Sequence, residues 1–268
     1  MTYCRNCGAE LKEDEKFCPK CGTPVSLQTV KTEERPKRKS LSPLAIASIA
    51  GLATVGIIIL VAFAFLMGGL PFGGVIGSGK LQTRQEAFTG FDTLDVGSGF
   101  RVQVIQASTY RILITADDNV LNYTQVTKTG NTLSIRLQPW MSFQTTTLRA
   151  EIWMPDLGEL QFSGGVNGTA RDFVLTHDFT VGLSGGSVLR MEGEARDLEA
   201  VCSGGSRLDL SDFGVGNAQI DFSGGSQGTV DVTGRLDANL SGGSKLTYIG
   251  NPTLGTISTS GGSTISPG

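Results

Sequence analysis

Leu183-Ser184-Gly185-Gly186-Ser187-Val188-Leu189-Arg190-Met191 decides the fold, because its Ser-Gly-Gly corner occurs five more times. The corners begin at Ser163, Ser184, Ser203, Ser223, Ser241 and Ser260, at intervals of 21, 19, 20, 18 and 19 residues. A unit near twenty residues cannot bury a core alone and must stack on its neighbours. The residue before each serine is Phe162, Leu183, Cys202, Phe222, Leu240 or Thr259. Two residues further back stand Leu160, Val181, Ala200, Ile220, Ala238 and Ile257, with polar or small residues mostly between. That period of two is a strand with one face inward. After the corner the inward slots hold Leu189, Leu208, Leu246 and Ile265, with Gly168 and Gly228 in the other copies.

Each repeat therefore reads as strand, sharp corner, strand and a more variable return. Stacked at about 4.8 Å per rung, such units form a parallel β-solenoid with a continuous apolar interior. The expected fold is mainly β, a parallel β-helix of the right-handed type. Glycine permits the sharp corner, and the serines are expected to form rung-to-rung hydrogen-bonded ladders. A β-propeller blade needs about 40 residues or more. A calcium-binding roll needs a recurring Asp at its glycine turns, which these corners lack. Upstream, residues 88–155 read as β-structure preceding the regular repeat. Phe100-Arg101-Val102-Gln103-Val104 and Thr132-Leu133-Ser134-Ile135-Arg136-Leu137 alternate cleanly, and Leu94-Asp95-Val96-Gly97-Ser98-Gly99 reads as a degenerate corner.

Charge divides the chain. Residues 1–79 carry nine Lys/Arg and six Asp/Glu, and residues 80–268 carry thirteen and nineteen. An acidic C-terminal region without a basic stripe argues against nucleic acid as its partner. No charged residue lies between Lys39 and Lys80. Within that stretch residues 44–67 are apolar, long enough to cross about 30 Å of hydrocarbon at about 1.5 Å per residue. Lys37-Arg38-Lys39 precede the span and a Gly-rich uncharged stretch follows it. The positive-inside rule places the N-terminus in the cytoplasm and residues 80–268 outside a single-pass membrane protein.

Four of the five cysteines lie at the N-terminus, as Cys4-Arg5-Asn6-Cys7 and Cys18-Pro19-Lys20-Cys21. Two C-x2-C pairs at this spacing make a tetrahedral thiolate site for one structural zinc ion, with Gly8 and Gly22 allowing the knuckle turns. Four thiolates leave no open coordination position for chemistry. The reducing cytosol disfavours two disulfides, and a redox C-x-x-C would need a βαβ context. The segment resembles the zinc-ribbon modules found at the N-termini of many prokaryotic membrane proteins. The expected organisation is a zinc ribbon at 1–25, a charged linker at 26–43 and the span at 44–67. A Gly-rich linker follows at 68–87, then the solenoid at 88–268.

The serial corners combine with Phe91-Asp92-Thr93-Leu94-Asp95-Val96, with Gly130-Asn131-Thr132-Leu133-Ser134-Ile135, and with Tyr248-Ile249-Gly250-Asn251-Pro252. In these features residues 88–265 resemble the DUF2807 family, the auto-transporter adhesin head or GIN domain. The resemblance implies a parallel β-helix at a cell surface, with no shared catalytic motif. No translocator barrel follows Gly268, so the expected tether is the single span.

Candidates for chemistry are few. His177, the single histidine, reads as a solvated loop residue, and Cys202 as a buried, inert thiol. Glu192, Asp209, Asp221 and Asp231 are the carboxylates available to a polysaccharide-cleaving enzyme, but they fall at different slots of the repeat. Pro139-Trp140-Met141-Ser142-Phe143 reads as a hydrophobic cap and Asp117-Asp118-Asn119 as a turn. The expected function is binding or structural rather than enzymatic, with an envelope glycan or a surface protein as partner. The alternatives are an envelope polysaccharide-active enzyme on the same scaffold, and a transmembrane envelope sensor.

Overall fold

The computed structural model describes residues 74–268 apart from Trp140 and Thr145, and near the N-terminus Thr2, Tyr3, Glu10, Leu11, Cys18, Lys20 and Cys21. The chain divides into two units, Met1–Leu70 and Pro71–Gly268. In the first, Thr2–Tyr3 pairs antiparallel with Glu10–Leu11. Among the described residues no helix is long and apolar enough to cross a membrane. The apolar stretch at 44–67 lies outside the described residues.

The second unit is the expected β-solenoid. Strands before each corner stack in parallel: Thr93–Val96, Glu159–Phe162, Phe179–Leu183, the end of Val188–Cys202, the end of Arg207–Phe222, Arg235–Leu240 and Thr253–Thr259. Strands after each corner form a second column from Arg101–Gln106 to Thr264–Pro267. The alternation read from the sequence places Leu160, Phe162, Val181, Leu183, Leu189 and Met191 in the core, all buried. In the return segments Phe179 and Phe213 pack with ring centroids 5.8 Å apart.

The first rungs do not stack in chain order. Thr93–Val96 lies between Thr132–Leu137 on one side and Glu159–Phe162 on the other. Arg101–Gln106 likewise lies between Leu148–Met154 and Asn167–Val174. The chain thus lays down one rung, builds the terminal rung outside it, and then crosses back to continue the stack. Strands within residues 88–155 thus stack in the solenoid although they precede its regular repeat. Antiparallel strands finish this end: Leu81–Glu86 on Arg111–Asp117, and Thr124–Thr129 on Thr132–Leu137. Leu81–Glu86 falls in the stretch assigned by composition to a linker, so the sheet begins before Phe88. The carboxylate of Asp117, only 2% exposed, accepts the backbone N–H of Gly79 at 2.7 Å and of Thr147 at 2.8 Å. It staples the entering chain and the corner loop of the terminal rung to one strand. Phe143 packs on this end against Tyr123, and Val75–Ile76 pairs with Phe143–Gln144.

Gly224 and Gly225 show why the corner needs two glycines: their φ angles are 61° and 78°, both in the left-handed region. A Cβ on Gly224 would also lie 3.1 Å from the backbone nitrogen of Gly204 one rung away. The expected serine ladders do not form. In four of the five complete Ser-Gly-Gly-Ser corners the last serine is buried and turns back into its own corner. Ser187, Ser206, Ser226 and Ser244 donate to the carbonyls of Ser184, Ser203, Ser223 and Ser241 at 2.7–2.8 Å. A buried hydroxyl needs a partner, and the carbonyl three residues back is the acceptor the turn presents. Rungs are joined mainly by backbone bonds, such as Ser223 N–H to Cys202 O at 2.8 Å. One serine hydroxyl does cross: Ser263 Oγ accepts from Ser244 N at 3.0 Å.

Gly168 and Gly228 have a different reason. Both occupy inward slots and both belong to rungs with Phe before the corner. A Cβ on Gly168 would meet the Phe162 ring at 2.1 Å, and one on Gly228 would meet Phe222 at 2.6 Å. Rungs with Leu183, Cys202, Leu240 or Thr259 before the corner carry Leu189, Leu208, Leu246 or Ile265 after it. The two slots share one volume across the rung.

Candidate functional site

The outward positions of the two strand columns form ladders of side chains, one residue per rung. Column position follows from register, so residues about twenty apart in sequence become neighbours. Before the corner, Asp95, Gln161, Gly182, Val201, Asp221, Asn239 and Ser258 form one row. Gly182 is free of a side chain because the Gln161 amide lies where its Cβ would be, 1.9 Å away.

At the start of this face, side chains bridge successive rungs. Asp197 Oδ1 accepts Asn217 N–H at 2.7 Å, and Asn217 Oδ1 accepts Arg235 N–H at 2.9 Å. Asp237 Oδ1 accepts Thr256 N–H at 2.6 Å. The Arg235 guanidinium and then this backbone bond hold the Asp237 carboxyl down to about 2. His177 stands in the same region, half-exposed, with Nδ1 2.7 Å from the Asp178 carbonyl and Nε2 2.8 Å from Asp156. The Asp178 carbonyl, and secondly Asp156, raise its pKa. Arg196 pairs with Asp178 at 2.7 Å. These contacts make His177 part of an inter-rung chain of polar partners.

The four carboxylates considered for glycan cleavage do not converge. Asp209 lies after a corner and accepts from Ser211 N and Oγ at 3.2 and 2.7 Å. Asp221 lies before a corner, on the other column, where it accepts from Asn239 Nδ2 at 3.4 Å. Asp231 pairs with Gly214 at the return, and Glu192 lies 4.0 Å from Arg190. Cys202 is fully buried, and burial pushes its thiol up to about 12, so it is inert at neutral pH. Asp118 and Asn119 close the turn seen in the sequence by binding the incoming chain: Ser78 Oγ donates to Asp118 at 2.5 Å and Asn119 Nδ2 to Ile76 O at 2.8 Å.

After the corner the outermost row runs Arg149, Arg101, Asn167, Val188, Arg207, Gln227, Lys245, Thr264. It holds four cations and no carboxylate, a feature not visible along the sequence, where Arg101, Arg149 and Lys245 lie 106, 58 and 38 positions from Arg207. The expectation that this region lacks a basic stripe is corrected here. Two shallow depressions of about 450 and 510 Å³ lie on this face, one around Arg101 and Arg149, the other around Arg207 and Lys245.

In the N-terminal unit Cys18 is buried and Cys21 exposed, while Cys4 and Cys7 lie outside the described residues.

A zinc-ribbon domain family matches residues 3–25. The family described as "Putative auto-transporter adhesin, head GIN domain", DUF2807, matches residues 90–252. Among solved structures, a putative adhesin from Bacteroides fragilis is similar at 20% identity with a TM-score of 0.60, covering 72% of this chain and all of that one. A putative adhesin from Parabacteroides merdae matches at 17% identity and TM-score 0.48, over 73% of this chain and 99% of that one. A putative lipid binding protein from Parabacteroides distasonis matches at 15% identity and TM-score 0.46, over 72% and 99%. The first of these supports the fold. No curated protein matches the sequence.

Proposed function

Because the chain belongs to the auto-transporter adhesin head (GIN) domain family, we propose that it is a membrane-anchored binding protein with its solenoid outside the cell. The observation that carries this reading is the long, mostly polar face after the corners, which runs from rung to rung and is marked by two shallow depressions. Such a face suits an extended partner that lies along the stack. The carboxylates that would cut a glycan are spread over separate slots, and Asp209, Asp221 and Glu192 are held by neighbouring side chains, which favours holding a ligand over cleaving it.

The apolar residues 44–67 form the anchor in this proposal. Lys37, Arg38 and Lys39 keep the N-terminus in the cytoplasm. Cys4, Cys7, Cys18 and Cys21 hold one zinc ion there, and the ion supplies folding energy to a segment with little apolar core.

Full-length protein in lipid nanodiscs, incubated with stripped cell-envelope material, is expected to retain envelope polymer without shortening it. Release of shorter glycans would replace this proposal with the enzyme reading. Protease added to intact, wall-stripped cells is expected to remove the solenoid and leave the N-terminus protected; the opposite pattern would overturn the orientation.

A further inference from the structure

Six outward arginines of the solenoid unit have a carboxylate within 4.0 Å: Arg84, Arg136, Arg171, Arg190, Arg196 and Arg235. Four have none among the described residues: Arg111, whose guanidinium lies 5.0 Å from the Trp153 ring centroid, and Arg101, Arg149 and Arg207, which fall in the single row beside the corners. Lys245 completes the row. Arg149 and Arg101 are direct register partners. Like charges placed opposite each other on adjacent strands are destabilising. Four of the solenoid unit's unpaired cations thus share one line; of the others, Arg111 lies over the Trp153 ring and Lys128 donates to the Gly130 carbonyl, while Lys80 stands on the entering chain.

We propose that this row binds an extended acidic polysaccharide whose carboxylates are spaced along its length. The inference rests on the binding role above and names the ligand class for it. At about 4.8 Å per rung, the six steps from Arg149 to Lys245 span about 29 Å. The cations stand in three groups: Arg149 with Arg101, Arg207 about 14 Å further on, and Lys245 about 10 Å beyond that. Between them, Asn167 and Gln227 offer exposed amides to hydroxyl groups. Sugars bearing a carboxylate at intervals match this alternation of charge and neutral hydrogen bonding.

A nucleic acid fits less well. A duplex strand presents a phosphate about every 3.4 Å, against four cations over the whole row. Glu151 and Asp209 occupy the next row of the same face, in register with Gln103 and Arg190. They would repel a dense phosphate chain more than a polymer of spaced charge. The acidic balance of residues 80–268 acts in the same direction at long range.

The test uses full-length protein in nanodiscs of neutral lipid, with hyaluronate, in which uronate and neutral sugars alternate, neutral dextran and a thymidine oligonucleotide as probes. Hyaluronate is expected to bind and to weaken as salt rises; dextran is not. The variant Arg101→Gln/Arg149→Gln/Arg207→Gln/Lys245→Gln is expected to bind hyaluronate roughly tenfold more weakly or worse, and to lose most of the salt dependence. Arg190→Gln/Arg235→Gln, which alters arginines already paired, is expected to stay within about twofold of the parent. Replacing the three row arginines by Lys keeps the charge and is expected to keep binding, which separates charge from folding. Unchanged affinity in the fourfold Gln variant, equal binding of dextran, or tighter binding of the oligonucleotide would each overturn the inference. If that variant still retains envelope polymer as the parent does, the row is wrong and the binding role survives. If the parent retains none either, both fall.

Discussion

The volume shared across one rung gives the sharpest stability test. Phe222 is fully buried and its ring occupies the space above Gly228, where a Cβ would sit 2.6 and 2.7 Å from ring carbons. Carbon atoms pack at about 3.5–4.0 Å, so any side chain at 228 must displace the ring by about 1 Å in a close-packed interior. The Leu208 carbonyl at 3.2 Å has to yield only a few tenths of an ångström. The backbone at 228 is not in the left-handed region, so the penalty comes from the ring. Gly228→Leu alone is expected to cost about 3 kcal/mol, the upper range for overpacking. Phe222→Leu alone is expected to cost roughly 1–2 kcal/mol, below the 3–5 of truncation to alanine. The double variant copies the next rung, where Leu240 and Leu246 fill the same slots. It is expected to cost no more than about 2 kcal/mol, a coupling of about 2–3 kcal/mol in its favour. Urea unfolding of the four proteins, followed by tryptophan fluorescence, measures this; both tryptophans lie within residues 74–268. Additive costs would refute the shared-volume argument.

Four further outcomes are expected. Gly224→Val should cost about 1–3 kcal/mol, through the left-handed φ and the contact with the Gly204 nitrogen, whereas Asp209→Asn and Asp221→Asn should change stability by about 0.5 kcal/mol or less in the same urea experiment. Asp117→Ala should cost about 3 kcal/mol, because two backbone N–H groups lose a charged acceptor, and hydrogen exchange at Gly79 and Thr147 should quicken; unchanged exchange would count against the staple. His177 should titrate above 6.5 by NMR. Its protonated form is the one favoured by folding, so its contribution is fully present below the unfolded pKa and lost as pH rises through the raised folded value; Asp156→Asn should lower that value, and no response would remove the Asp156 contact from the account. Residues 1–25 should bind one zinc ion under reducing conditions and lose their fold on chelation; native mass spectrometry showing no metal would eliminate the ribbon's ion.

The composition of a slot was legible wherever the slot recurred. Period-two alternation around each serine identified the inward residues, because one face of every strand must leave water and each rung repeats the demand. The corners were legible because two consecutive left-handed residues admit little but glycine. The terminal rung was not. Thr132–Leu137 and Thr93–Val96 each alternate, yet nothing local says that the later strand stacks outside the earlier one. The role of Asp117 was hidden for the same reason: its partners, Gly79 and Thr147, are 38 and 30 residues away.

The sequence by itself determined the repeat, the corner, the inward face and the four-cysteine pattern, since each follows from spacing within one unit or one short segment. Only the tertiary structure decided which outward residues share a row. Arg101 and Arg149 become neighbours through the inverted order of the first rungs, and Arg207 and Lys245 join them through register alone. Inward residues are selected one strand at a time by contact with water or core. Outward ones acquire meaning only when stacking fixes the strand beside them.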